Sequence, residues 1–140
     1  MDPDALLSSI AGQIIATILA TAFLAAVAWL AGPLRWWLSS RKLGKLLLNG
    51  RRFNFVFNPM TGQSKVLTFL DNGDIGEGRN ANESTWRVRR GALEILAADS
   101  EAYSRFRHDS ASGQLRHTNE PELRSIHGQY IHPLWIRGQK

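Results

Sequence analysis

The stretch Thr85-Trp86-Arg87-Val88-Arg89-Arg90-Gly91-Ala92-Leu93-Glu94-Ile95-Leu96 alternates on both sides of one turn. Trp86 and Val88 fall opposite Arg87 and Arg89, Arg90-Gly91 reverses the chain, and Ala92 to Ala97 returns as a second strand. An apolar set alternating with a polar set is the pattern of half-buried strands. The pattern extends in both directions. Upstream, Phe53, Phe55 and Phe57 alternate with Asn54 and Val56, and Asn58-Pro59-Met60-Thr61-Gly62 is a turn by composition. Lys65 to Leu70 is the next strand, closed by Asp71-Asn72-Gly73-Asp74, with a short third strand starting at Ile75. Downstream, strands are expected at Ala102 to His108, Gln114 to Thr118 and Ser125 to His132, separated by turns. That makes about eight short strands with no helical stretch between them, the pattern of a small antiparallel closed β-barrel over 51–140. A sandwich is the structural alternative.

The residues before this region read differently. Ala5 to Leu34 carries no charge. Thirty helical residues reach roughly 45 Å at about 1.5 Å each, enough to cross a bilayer core of about 30 Å once and not twice. The expected span is Ile10 to Leu30, within a transmembrane segment 1–34. Asp2-Pro3-Asp4 starts the helix, and Gly32-Pro33 is expected to break or tilt it. Residues 35–50 then mix Trp36, Trp37 and Leu38 with Arg35, Arg41, Lys42 and Lys45, the composition of a short interfacial helix leaving a membrane. A cleaved signal peptide wants a basic start, and this one is acidic. A buried core helix of thirty uncharged residues is too long for so small a protein.

Charge separates the two parts. The 140 residues carry 17 Lys and Arg against 12 Asp and Glu, a formal charge of +5, and no Cys. The lack of Cys excludes disulfides, thiolate zinc sites and a Cys nucleophile. Six basic residues, Arg35 to Arg52, follow the span, and no acid occurs between Leu34 and Asp71. By the positive-inside rule the C-terminal domain is expected in the cytoplasm. Gly12, Ala16 and Ala20 are four apart, a spacing that permits close helix contact and self-association in lipid.

Alternation assigns Phe53, Phe55, Phe57, Trp86, Val88, Leu93, Ile95, Phe106 and Leu115 to the core. It leaves Arg87, Arg89, Glu94, Tyr103, Arg105, Arg107 and Arg116 on the other face. Several guanidiniums on one face repel unless an anion lies between them, and Arg suits bidentate phosphate binding. Tyr103, His117 or Tyr130 could stack on a base. The candidate ligand-binding residues are therefore Arg87, Tyr103, Arg105, Arg107, Arg116 and His117. The bland alternative is a solvated basic face balanced by Glu94, Glu101 and Asp109. As surface residues, Arg105 and Arg107 should be replaceable without unfolding the domain. The Gly-rich run 73–80 reads as a hairpin with left-handed glycines rather than a phosphate loop, and Asn80, Asn82 and Glu83 as loop-capping residues. His108, His117, His127 and His132 lack the spacing of a helical zinc motif. No catalytic residue, metal or cofactor is expected, and no DNA partner.

An N-terminal anchor followed by a compact, basic, all-strand domain resembles the membrane-anchored β-barrel effectors of bacterial antiphage systems that signal through cyclic nucleotides, the CBASS and Panoptes type. The run Trp86 to Leu96, then Tyr103-Ser104-Arg105-Phe106, then Gly128-Gln129-Tyr130-Ile131, carries the likeness. The resemblance implies a cytoplasmic barrel that binds a cyclic di- or trinucleotide, homo-oligomerisation, and damage to the bacterial inner membrane. Members usually have two or more anchoring helices, and this chain has one clear span. The rival readings are a membrane-tethered module that binds protein or anionic lipid, and a carbohydrate-binding barrel, which would need an extracytoplasmic domain.

Overall fold

A computed structural model describes residues 3–134. Asp2 of the helix-start signal lies outside the described residues, as do the side chains of Gly12 and Ala16 from the small-residue spacing. The chain forms two compact units, residues 1–36 and 37–140. One helix, α1 (Pro3–Leu47), contributes to both.

In the first unit α1 is long and apolar enough to cross a membrane. Ile18, Leu19, Phe23, Leu24 and Trp29 are all exposed. Two of its hydroxyls are satisfied locally. The Thr17 hydroxyl donates to the Gln13 carbonyl at 2.9 Å and Thr21 to the Thr17 carbonyl at 2.8 Å. Such bonds from a hydroxyl to the carbonyl one turn back satisfy the Thr17 and Thr21 donors without water. The break expected at Gly32-Pro33 does not occur: Pro33 lies inside α1. Proline removes a single backbone donor, and the helix resumes through Leu34 to Leu47.

The second unit begins with the last turns of α1 and continues as a sheet. Its strands are β1 (Phe53–Asn58), β2 (Gln63–Leu67), β3 (Thr85–Arg89), β4 (Ala92–Leu96), β5 (Ala102–Asp109), β6 (Gln114–His117) and β7 (Tyr130–Pro133). They pair antiparallel in the order β2-β1-β7-β6-β5-β4-β3, a half-barrel. There are seven strands among the described residues rather than about eight. The expected strand at Ile75 is reduced to two isolated bridges, Phe69 to Ile75 and Asp74 to Thr85. These bridges still tie the two edges of the sheet. Leu70 N–H donates to the Asp74 carbonyl, and Trp86 N–H to the Gly73 carbonyl. Lys65 on β2 pairs with buried Glu83 at 2.7 Å. The last strand is also shorter than Ser125 to His132.

Phe53, Phe55, Leu93, Ile95, Phe106 and Leu115 form the core, with Phe57, Trp86 and Val88 packed on it, as alternation assigns them. Phe55 meets Phe106 edge to face at 5.8 Å between centroids. Two residues of the segment read as interfacial, Leu43 and Leu47, are buried in the same cluster, one helical turn apart. The β3–β4 turn docks there too: Gly91 N–H donates to Ser40 Oγ at 2.9 Å. Arg90 and Gly91 have φ of 51° and 74°, as a two-residue hairpin of the favoured twist requires.

Candidate anion-binding face

The tight Arg90-Gly91 turn fixes the register of β3 on β4, so Arg89 faces Ala92 and Arg87 faces Glu94. β5 then places Arg105 opposite Glu94 and Arg107 opposite Ala92. Two cross-strand rows result, and they differ in charge.

The first row is Arg87, Glu94, Arg105. Glu94 was expected on the exposed face, yet it is 2% exposed. Both guanidiniums cover it. Arg87 Nε donates to one carboxylate oxygen at 2.6 Å and Arg105 Nε to the other at 3.0 Å. Arg105 also pairs with Glu120. Burial acts to raise the Glu94 carboxyl, but hydrogen bonds and charge from Arg87, then Arg105, together outweigh it and hold it below its ordinary value. Glu94 within the row and Glu120 beside it balance the two guanidiniums.

The second row is Arg89, Ala92, Arg107, Arg116, Tyr130. Among the described residues neither Arg89 nor Arg107 has an acidic partner. Arg116 lies 3.3 Å from Asp109, with both side chains exposed enough for solvent to weaken the pair. β3 and β5 are two strands apart, about 10 Å. The small Ala92 between them leaves a depression of about 290 Å³ bordered by Arg89, Arg107, Arg105 and Glu120. Two guanidiniums flanking a gap at that spacing can both reach one phosphate group.

The six sequence candidates thus separate. Arg107 and Arg116 are neighbours in the second row. Arg87 and Arg105 belong to the Glu94 cluster. Tyr103 is the extra residue of a bulge opposite Ile95 and Leu96, four residues and so roughly 13 Å along β5 from Arg107. Burial, then the charge of Glu83, raises its hydroxyl above the ordinary value. His117 is buried, with one ring nitrogen 2.7 Å from Ser125 Oγ and the other 2.9 Å from Asn119 Oδ1. Its ring packs on Phe106. Burial pushes His117 below its usual value, Asn119 opposes this, and His127 adds to the lowering. Alternation put Arg89 on this face without selecting it. The hairpin register was the missing signal, since a two-residue turn pairs Arg89 with Ala92. Tyr130, rather than Tyr103, is the aromatic residue of the second row.

The Gly-rich run uses its amides internally: Gly73 N–H donates to the Leu70 carbonyl and Gly76 N–H to Thr68. Asn80 Oδ1 accepts from the N–H groups of Asn82 and Glu83, as a loop cap. Comparison of the chain with protein-family models, curated proteins and solved structures finds no match.

Proposed function

We propose that the chain is a membrane-anchored sensor whose β-domain binds a cyclic di- or trinucleotide, with phosphate held between Arg89 and Arg107. The observation that carries this reading is the second row itself: two arginines with no acidic partner among the described residues, across a small residue and followed by Arg116 and Tyr130. A cyclic oligonucleotide presents anionic phosphates beside flat bases. The row offers guanidiniums and an aromatic ring in matching sequence. The resemblance to anchored antiphage effectors supports the same ligand class. In this reading α1 spans the bacterial inner membrane once, the basic flank keeps residues 51–140 in the cytoplasm, and the segment Asp74 to Glu77 serves as an eighth strand closing the barrel. Ligand occupancy controls homo-oligomerisation through the anchors and, with it, membrane disruption.

Calorimetry of the full chain in lipid nanodiscs against a panel of cyclic di- and trinucleotides tests the proposal. Binding of at least one member is expected. In liposomes, that member should also change the size of crosslinked oligomers. A wild-type chain that binds none of the panel at high micromolar concentration would remove the sensor reading.

A further inference from the structure

Arg107 also borders a second concavity, where the end of α1 meets the sheet. This groove of about 430 Å³ is lined by Lys42, Leu43 and Leu46 on α1, and by Gly91, Arg107 and His108 on the sheet. Lys42 and Arg107 have no acidic partner among the described residues. The floor is apolar, with Leu43 buried and Leu46 half-buried. A cationic rim over an apolar floor fits a ligand with an anionic head and a short hydrocarbon continuation.

Depth is set by Trp37, which is exposed and carries the Arg41 guanidinium 4.7 Å from its ring centroid. Trp residues flanking a span settle at the headgroup level. Lys42 follows five residues later, about 7.5 Å along the helix. The polar layer on each side of a bilayer core is roughly 5–8 Å deep. For a span that ends just before Trp37, the rim then lies at the outer side of that layer, from which the long Lys42 and Arg107 side chains reach back to lipid phosphates.

We propose that this groove holds the phosphate of an anionic phospholipid, with Lys42 and Arg107 as its ligands and Leu43 and Leu46 beneath the glycerol and first methylenes. The assignment rests on α1 as an anchor and shares Arg107 with the second row, whereas Lys42 borders this groove and not the depression beside Arg89. Lipid docked here would hold the end of α1 and the β3–β4 turn against the membrane surface.

The test reconstitutes the full chain in nanodiscs of phosphatidylcholine mixed with phosphatidylglycerol, extracts it into mild detergent, and counts retained lipids by native mass spectrometry. Phosphatidylglycerol should be retained in preference to phosphatidylcholine. Lys42→Gln should lower that retention by about tenfold, the equivalent of one charge-assisted contact. Lys45→Gln, outside the groove, should leave it unchanged. Retention lowered equally by Lys45→Gln would mean diffuse charge attraction and overturn the site. Release of the lipid by millimolar inorganic phosphate would reassign the groove to a free anion. Incorporation without any phosphatidylglycerol preference overturns the lipid assignment alone, whereas failure to enter nanodiscs overturns the anchor reading and the lipid site with it.

Discussion

Glu94 lies beneath two guanidiniums, and that placement divides the arginines into two kinds. Arg105 neutralises a buried carboxylate and also engages Glu120, so its removal leaves Glu94 with Arg87 alone. Arg105→Ala should cost about 2 kcal/mol, the scale of a charged buried group losing a partner, read as a lower midpoint in thermal unfolding of the β-sheet signal. Arg105 is thus a member of a buried ion-pair cluster rather than an isolated surface cation. His117 gives a second prediction. Its folded value is depressed, so as pH falls below about 6.5 the unfolded chain takes up a proton that the folded chain resists. Stability from this group is complete above that pH and is lost as pH falls toward the folded value, at up to about 1.4 kcal/mol per pH unit. Unfolding midpoints at pH 7.5 and 5.5 should therefore differ, and His117→Gln should remove most of that difference. Glu94 adds a separate loss at lower pH, because its folded value is also depressed.

At the level of elements, α1 does two jobs that its sequence shows unequally. A helix long and apolar enough to cross a membrane was legible from thirty uncharged residues. The docking of its end was not, because Leu43 and Leu47 sit among Arg41, Lys42 and Lys45 and share the composition of an interfacial helix. Only the sheet supplies the apolar surface that they cover. Leu47→Ala should destabilise the β-domain by about 2–5 kcal/mol, as truncation of a buried Leu does, although it lies outside every strand. If thermal unfolding of the sheet is unchanged, α1 ends as a free interfacial helix. The strands themselves were legible wherever alternation ran for five residues or more, as in Phe53 to Phe57 and Thr85 to Arg89. They were not legible at Ile75, where the chain pairs through single bridges, or at Ser125 to Gln129, where two isolated backbone bonds, Ser125 to Tyr103 and His117 to Gln129, are supplemented by side-chain bonds to His117 and the Phe57 carbonyl. Gly78 shows why the first of these is irregular: its φ is +81° and an added Cβ would overlap the Val66 carbonyl oxygen. Gly78→Ala should accordingly cost about 1–3 kcal/mol or more, measured by the same unfolding signal.

For the whole molecule, face alternation found the basic surface, but register decided which cations remain available. Arg87 and Arg105 hold the buried Glu94, whereas among the described residues Arg89 and Arg107 have no acidic partner. The most direct measurement compares the two rows in one titration. Wild type, Arg87→Ala and Arg107→Ala, each as the full chain in nanodiscs, are titrated with the cyclic nucleotide that the wild type binds, and their unfolding midpoints are recorded alongside. Arg107→Ala should weaken binding by about ten- to a hundredfold at an unchanged midpoint, since a charge-assisted contact contributes roughly 1.5–3 kcal/mol. Arg87→Ala should lower the midpoint and leave affinity within about threefold, less than one hydrogen bond's worth. Wild-type affinity in Arg107→Ala, with the loss falling on Arg87→Ala instead, would contradict the account.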